Sequence, residues 1–223
     1  GQERSDIGVA VADIDNDGDL DYFSTLLPKQ HPLWINKLSE TGVLTFTRTE
    51  ITNDFAWGAN FNDFDNNGRV DLLVGTDVAR QNASPTSYLH LQDWSGNFQE
   101  RGQATGFTSP YSIRTVASAD FDRDGFADVA QWTRAGLNSP GIQFYRNTSA
   151  AQNPNFHFLS IELEGDPALP GSHKSTRDAI GGRAYVTADF NGDGQIGADE
   201  TRMEEVVSGH SNASTTSSLE CPE

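Results

Sequence analysis

Short runs in which apolar or small residues alternate with polar ones recur along the chain, and acidic, glycine-containing stretches interrupt them. Residues 8–14 (GVAVADI) and 115–121 (TVASADF) lead into such stretches; residues 20–27 (LDYFSTLL), 70–75 (VDLLVG) and 127–132 (ADVAQW) lead out of them. Period-two alternation on both sides of a turn-rich segment predicts two strands joined by a loop. Two further strand candidates follow in each unit, residues 33–36 and 44–49 in the first and 87–92 and 97–99 in the second. In the third, residues 141–146 supply one, and residues 155–164 (NFHFLSIELE) open the final segment. Turn residues at 39–42, 94–97 and 138–141 punctuate them. No stretch combines a cap, a 3.6-residue period and the length of a long helix. The expected fold class is all-β: about three propeller-type, four-stranded antiparallel blades over residues 1–146, then a small β-rich domain over residues 147–223.

The acidic stretches are alike. Residues 13–21 read DIDNDGDLD, 63–71 DFDNNGRVD, 120–128 DFDRDGFAD and 189–200 DFNGDGQIGADE, so successive starts lie 50, 57 and 69 residues apart. Each nine-residue loop offers oxygen side chains at positions 1, 3, 5 and 9, a backbone carbonyl at 7 and glycine at 6. A hard cation such as Ca²⁺ takes six to eight oxygens, and a chain that turns sharply at glycine can aim alternate residues inward. The donors expected are Asp13, Asp15, Asp17 and Asp21 with the carbonyl of Asp19; Asp63, Asp65, Asn67 and Asp71 with that of Arg69; and Asp120, Asp122, Asp124 and Asp128 with that of Phe126. The fourth loop fits the twelve-residue EF-hand pattern through Asp189, Asn191, Asp193, Gln195 and Glu200. Its flanks read as strands, which places it at a hairpin tip rather than between helices. About four Ca²⁺ sites are therefore expected. The alternative is a set of solvated Asp/Asn/Gly turns, but three copies in matched register and converging carboxylates that would repel without a cation weigh against it.

Charge changes the picture of partners. The 223 residues carry 15 Lys and Arg against 32 Asp and Glu, a formal net charge of −17, which disfavours nucleic acid and anionic membranes. The four loops hold 16 of those carboxylates, so four divalent ions would bring the charge to −9. A composition bordering on disorder then becomes that of a metal-dependent fold. No apolar run approaches the length of a membrane span. The lone cysteine, Cys221, excludes an intramolecular disulfide. The chain starts at Gly1 and its one methionine is Met203, which implies processing or a segment of something longer. Three Asn-x-Ser/Thr sequons, at Asn82, Asn147 and Asn212, are consistent with a secretory route.

ADIDNDGDLDYF, NDFDNNGRVDLLVG and ADFDRDGFADVAQW resemble FG-GAP/VCBS repeats, the calcium-loop blades of integrin-α-like propellers and bacterial surface proteins. From Asn147 onward, FLSIELEG, DAIGGRAYV and EEVVSG resemble an ASPIC/UnbV domain, with the calcium-like loop between Ala188 and Thr201 inserted in its hairpin. The resemblance implies a secreted or surface-displayed, calcium-binding structural or adhesive protein. Propellers close with about six or seven such blades, and three cannot close a ring. Either the chain is part of a larger propeller, or it associates with copies of itself or with other surface proteins and glycans. A head-to-tail contact that does not close gives a filament.

Catalysis is not expected. Gly209-His210-Ser211-Asn212-Ala213 resembles a nucleophile elbow but lacks the parallel sheet and a downstream histidine, and His31, His90, His157 and His173 lack zinc-like spacing. Trp34, Trp57, Trp94 and Trp132 suit blade packing; exposed, they would suit a carbohydrate-binding, lectin-like module, and a hydrolase accessory domain is a more distant alternative.

Overall fold

The computed structural model describes residues 5–27, 31–52, 55–77, 87–134, 141–149, 158–159, 161, 163–165, 179–189, 194–197, 200–206 and 214–216. The all-β expectation holds. Strands β1 (Ser5–Ala12), β2 (Asp21–Leu27), β3 (His31–Asn36) and β4 (Phe46–Thr52) form one antiparallel sheet in sequence order. Strands β5 (Ala56–Asn62), β6 (Asp71–Thr76), β7 (Ser87–Gln92) and β8 (Phe98–Glu100) form a second in the same way. The described helices, α1 (Leu38–Thr41) and α2 (Gly102–Thr105), are single turns.

The third sheet departs from the expected pattern. Its antiparallel part has three strands, β9 (Ile113–Ala119), β10 (Asp128–Thr133) and β11 (Ile142–Tyr145). A fourth place is taken on the β9 edge by β14 (Ser214–Thr216), which runs parallel to β9. The expected strand over residues 155–164 is not seen in its described part: Phe158, Leu159 and Ile161 lie in no strand and are exposed. After β11 the chain is instead held at loop level, where the Asn147 N–H donates to Asp128 Oδ1 at 2.7 Å and Arg146 pairs with Asp122 and Asp124. The remaining pair, β12 (Arg183–Thr187) and β13 (Thr201–Glu205), is an antiparallel hairpin with the fourth acidic loop at its tip, as the strand-like flanks predict.

The three sheets pack side by side. Between the first and second lie Ala10, Ile14, Phe23, Leu33, Ala56, Ala59, Phe61, Leu72 and Val74. Between the second and third lie Phe64, Leu73, Leu89, Phe107, Ile113, Val116, Ala127 and Val129. Period-two alternation is what lets each middle strand serve both cores: in β6, Leu72 and Val74 face one way and Leu73 the other. The first strand of each blade bulges six residues before its loop, at Ile7, Trp57 and Arg114. Two of these bulge residues meet across blades, with the Arg114 guanidinium 3.7 Å from the centre of the Trp57 ring.

Polar contacts repeat with the same register. Gln92 Nε2 donates to the Ile14 carbonyl of the preceding blade at 3.2 Å, and Asn147 Nδ2 donates to the Phe64 carbonyl at 2.7 Å. Buried Asp77 joins the second blade to the third by accepting from Ser112 Oγ at 2.6 Å. The sheets approach closely at Gly75, where a Cβ would meet Ile113 Cγ2 at 2.6 Å and Val116 Cγ1 at 3.3 Å. Gly75→Ala is expected to cost roughly 1–3 kcal/mol by overpacking this seam, measured as a lower urea midpoint at unchanged slope.

Candidate metal centres

Each acidic loop joins the first two strands of its blade, and the register is the same each time: Ala12 opposes Asp21, Asn62 opposes Asp71 and Ala119 opposes Asp128. Position 1 folds the loop around itself. The carboxylate of Asp13 accepts the N–H groups of Asp17 and Gly18 at 3.1 and 3.0 Å, Asp63 those of Asn67 and Gly68 at 3.1 and 2.7 Å, and Asp120 those of Asp124 and Gly125 at 3.0 and 2.7 Å. Position 5 then accepts from position 7, in Asp17–Asp19, Asn67–Arg69 and Asp124–Phe126. Two left-handed residues make this winding. Glycine at position 6 has φ of 89°, 81° and 88°, and position 4, which supplies no donor in the motif, has φ of 59°, 55° and 60° at Asn16, Asn66 and Arg123. Asparagine at two of those three places was the available signal, since it tolerates this region better than most residues.

Position 9 ties the loop to the rest of its blade. Asp21 accepts from the N–H of Ile14 at 2.8 Å and of Asn36 at 2.7 Å; Asp71 from Phe64 at 2.7 Å and Gln92 at 2.8 Å; Asp128 from Phe121 at 3.1 Å and Asn147 at 2.7 Å. The second donor in each pair stands at or just past the end of the third strand. Those residues carry no acidic signature, which is why the motif did not point to them.

Carboxylate oxygens converge in all three loops. Asp13, Asp15 and Asp17 bring one oxygen each within 4.8 Å of one another, as do Asp63, Asp65 and Asp71, and Asp120, Asp122 and Asp128. Asp21 and Asp124 stand outside these triplets, in the roles just described, and the Asn67 amide donates to the Asp65 carboxylate at 3.3 Å. Phe126 lends its side chain to the interior, at 2% exposure. Burial pushes Asp13 up to about 6, Asp21 and Asp63 to about 7 and Asp71 to about 8, and it raises Asp15, Asp65 and Asp128 as well. Carboxylates so disfavoured as anions are poised for a positive partner. Side chains supply part of one: Lys37 Nζ lies 3.2 Å from Asp15, and Arg146 pairs with Asp122 and Asp124. The all-oxygen donor set fits a hard divalent cation.

In the fourth loop, Asp189 Oδ2 accepts the Gly194 N–H at 2.7 Å, the same position-1-to-6 bond, and Gly194 has φ 84°. Fully buried Glu200 accepts the Gly197 N–H at 2.6 Å. Gln195 is exposed, whereas Asn191 and Asp193 lie outside the described residues. The hairpin bearing this loop meets the acidic loops of the blades. Trp94 has the Arg69 guanidinium 5.6 Å and that of Arg202 5.7 Å from its ring centre, and Arg183 Nη1 approaches the Gly18 carbonyl at 3.5 Å.

Of the sequons, Asn147 spends its amide on the contact to Phe64; Asn82, Asn212, Cys221 and the elbow-like residues 209–213 lie outside the described residues. Among the described residues no helix is long and apolar enough to cross a membrane.

The family model of the FG-GAP-like repeat matches residues 63–130, from the first aspartate of the second loop into β10. No curated protein matches the chain.

The raised carboxylates fix a pH dependence. Without metal the folded chain holds protons that the unfolded chain releases near pH 3.8, so what these four carboxylates add to stability is fully present below that pH and is lost as pH rises through about 6 to 8. A cation needs the carboxylates deprotonated and reverses the trend. In chelator the Tm is expected to be lower at pH 8 than at pH 5, whereas the gain in Tm from added calcium is expected to be larger at pH 8; both are read by scanning calorimetry.

Proposed function

We propose that the chain is a calcium-binding structural or adhesive module that acts outside the cell, with cations stiffening the loop ends of its blades. The observation that carries this reading is the threefold recurrence of converging carboxylates on one backbone template. The repeat matched at residues 63–130 is typical of extracellular proteins, which supports a secreted or surface location. On this reading Asp189 to Glu200 holds a fourth ion, and residues 147–223 act as the ASPIC/UnbV-like domain, the hairpin of which braces the loop ends of the first two blades.

The role is non-catalytic and rests on self-association, head to tail, or on contact with other surface proteins and glycans. Carbohydrate binding is the second reading. Two tryptophans argue for packing: Trp34 stacks on Tyr22 at 5.7 Å, and Trp57 lies under Arg114 with its Nε1 donating to Asp77. Trp94 and Trp132, at 39% and 49% exposure, are the two a sugar ring would reach. Reproducible calcium-dependent hits on a glycan array would favour this second reading over the scaffold.

Calcium titration followed by melting tests the main reading: the Tm rises with calcium, and an unchanged Tm in excess chelator overturns it. Asp65→Asn removes one carboxylate from a solvent-facing position of the second loop. It is expected to leave the chelated Tm unchanged or slightly raised while weakening that site's calcium affinity about tenfold or more, measured by isothermal titration calorimetry.

A further inference from the structure

The repeat supplies its own template for what covers a blade. The cross-strand pairs Phe23–Leu33, Leu73–Leu89 and Ala130–Phe144 occupy one register position in the three sheets. The first lies under the second blade and the second under the third, with Leu33 and Leu89 at 5% and 8% exposure. Phe144, in the third, is 69% exposed. The residue at loop position 2 follows the same series: Ile14 and Phe64 are 1% and 5% exposed, whereas Phe121 is 56% exposed. The Ile14 and Phe64 carbonyls accept side-chain amides from the following blade. Trp132 and Ile142, also a cross-strand pair, extend the exposed face.

The other end of the array is complementary. Tyr22–Trp34 occupies the position of Leu72–His90 and Val129–Tyr145. Leu72, Val129 and Tyr145 pack against the preceding blade. In the first blade, Tyr22 and Trp34 stack, and Phe46, 39% exposed, meets Tyr22 edge-on at 5.4 Å. Asn36, the counterpart of Asn147, donates to the Leu20 carbonyl as Asn147 does to that of Ala127, but among the described residues it makes no second, inter-blade bond like that of Asn147 to Phe64.

We propose that the exposed face of the third blade, built from Phe121, Trp132, Ile142 and Phe144, docks the Tyr22–Trp34–Phe46 face of the first blade of a second copy, continuing the two interfaces already inside the chain. The contact is heterologous, so each copy keeps one free end and further copies add in the same direction. This inference names the surface for the self-association in the proposed function and stands apart from its calcium part.

Two variants of the full chain in calcium test it by sedimentation velocity. Phe144→Asp blocks one end and Phe46→Asp the other; both side chains are exposed, and unchanged melting confirms the folds, with Phe121→Asp replacing the first variant if it does not fold. Wild type is expected to form a concentration-dependent series of oligomers. Each variant alone is expected to associate at least about tenfold more weakly, while an equimolar mixture gives a capped dimer and nothing larger. Dimers of Phe46→Asp alone would indicate face-to-face pairing and overturn the proposal, as would association unaffected by either variant. A wild type that stays monomeric overturns it as well, whether the face is then covered by the chain's own residues 166–178 or left bare, and if calcium still raises its Tm the calcium reading survives.

Discussion

The last aspartate of each acidic loop is the joint on which its blade depends. Asp21, Asp71 and Asp128 each use two carboxylate oxygens to accept two backbone N–H groups, one from the loop and one from the end of the third strand. That pair of bonds fixes the hairpin tip against the sheet and, in the second and third blades, sets the residue whose amide reaches the blade before. A carboxylate is suited to the task because it accepts in two directions at once. The same geometry buries negative charge beside other negative charge, and the raised proton affinities of Asp21 and Asp71 measure that cost. A divalent cation at the loop would remove the cost without disturbing the bonds.

The consequence reaches beyond the loops. Because Gln92 and Asn147 both close a loop and grip the preceding blade, loop and seam form one connected unit. At the seam between the second and third blades, Gly75 lets two sheets approach until there is no room for a methyl group. A chain with formal charge −17 and modest cores gains cohesion by placing half its carboxylates where ions could gather them. The basic residues at the rim, Lys37 and Arg146, do part of that work from within the chain.

Much of this was legible in the sequence because it depends on local pattern. Alternation around DIDNDGDLD and its counterparts located the hairpins, and glycine at position 6 marked the turn. The strand-like flanks of residues 189–200 placed the fourth loop at a hairpin tip. What stayed hidden depends on distance along the chain. Ser214–Thr216 carries no apolar signal, and its pairing with Val116–Ser118 spans nearly a hundred residues. The apolar run NFHFLSIELE has the composition of a strand, yet its described residues lie in no strand, because strand formation depends on context as well as on propensity. The amides of Gln92 and Asn147 looked like ordinary polar residues until the fold brought them to Ile14 and Phe64.

The central claim is that cation binding and carboxylate deprotonation at the loops are one event. Isothermal titration of the chelator-stripped chain with calcium, repeated at pH 7 in buffers of different ionisation enthalpy, measures the protons released per ion bound. The account predicts net proton release at pH 7 that vanishes near pH 9, where carboxylates such as Asp71 are already ionised. Calcium binding with no proton release at pH 7, or no binding at all, would contradict it.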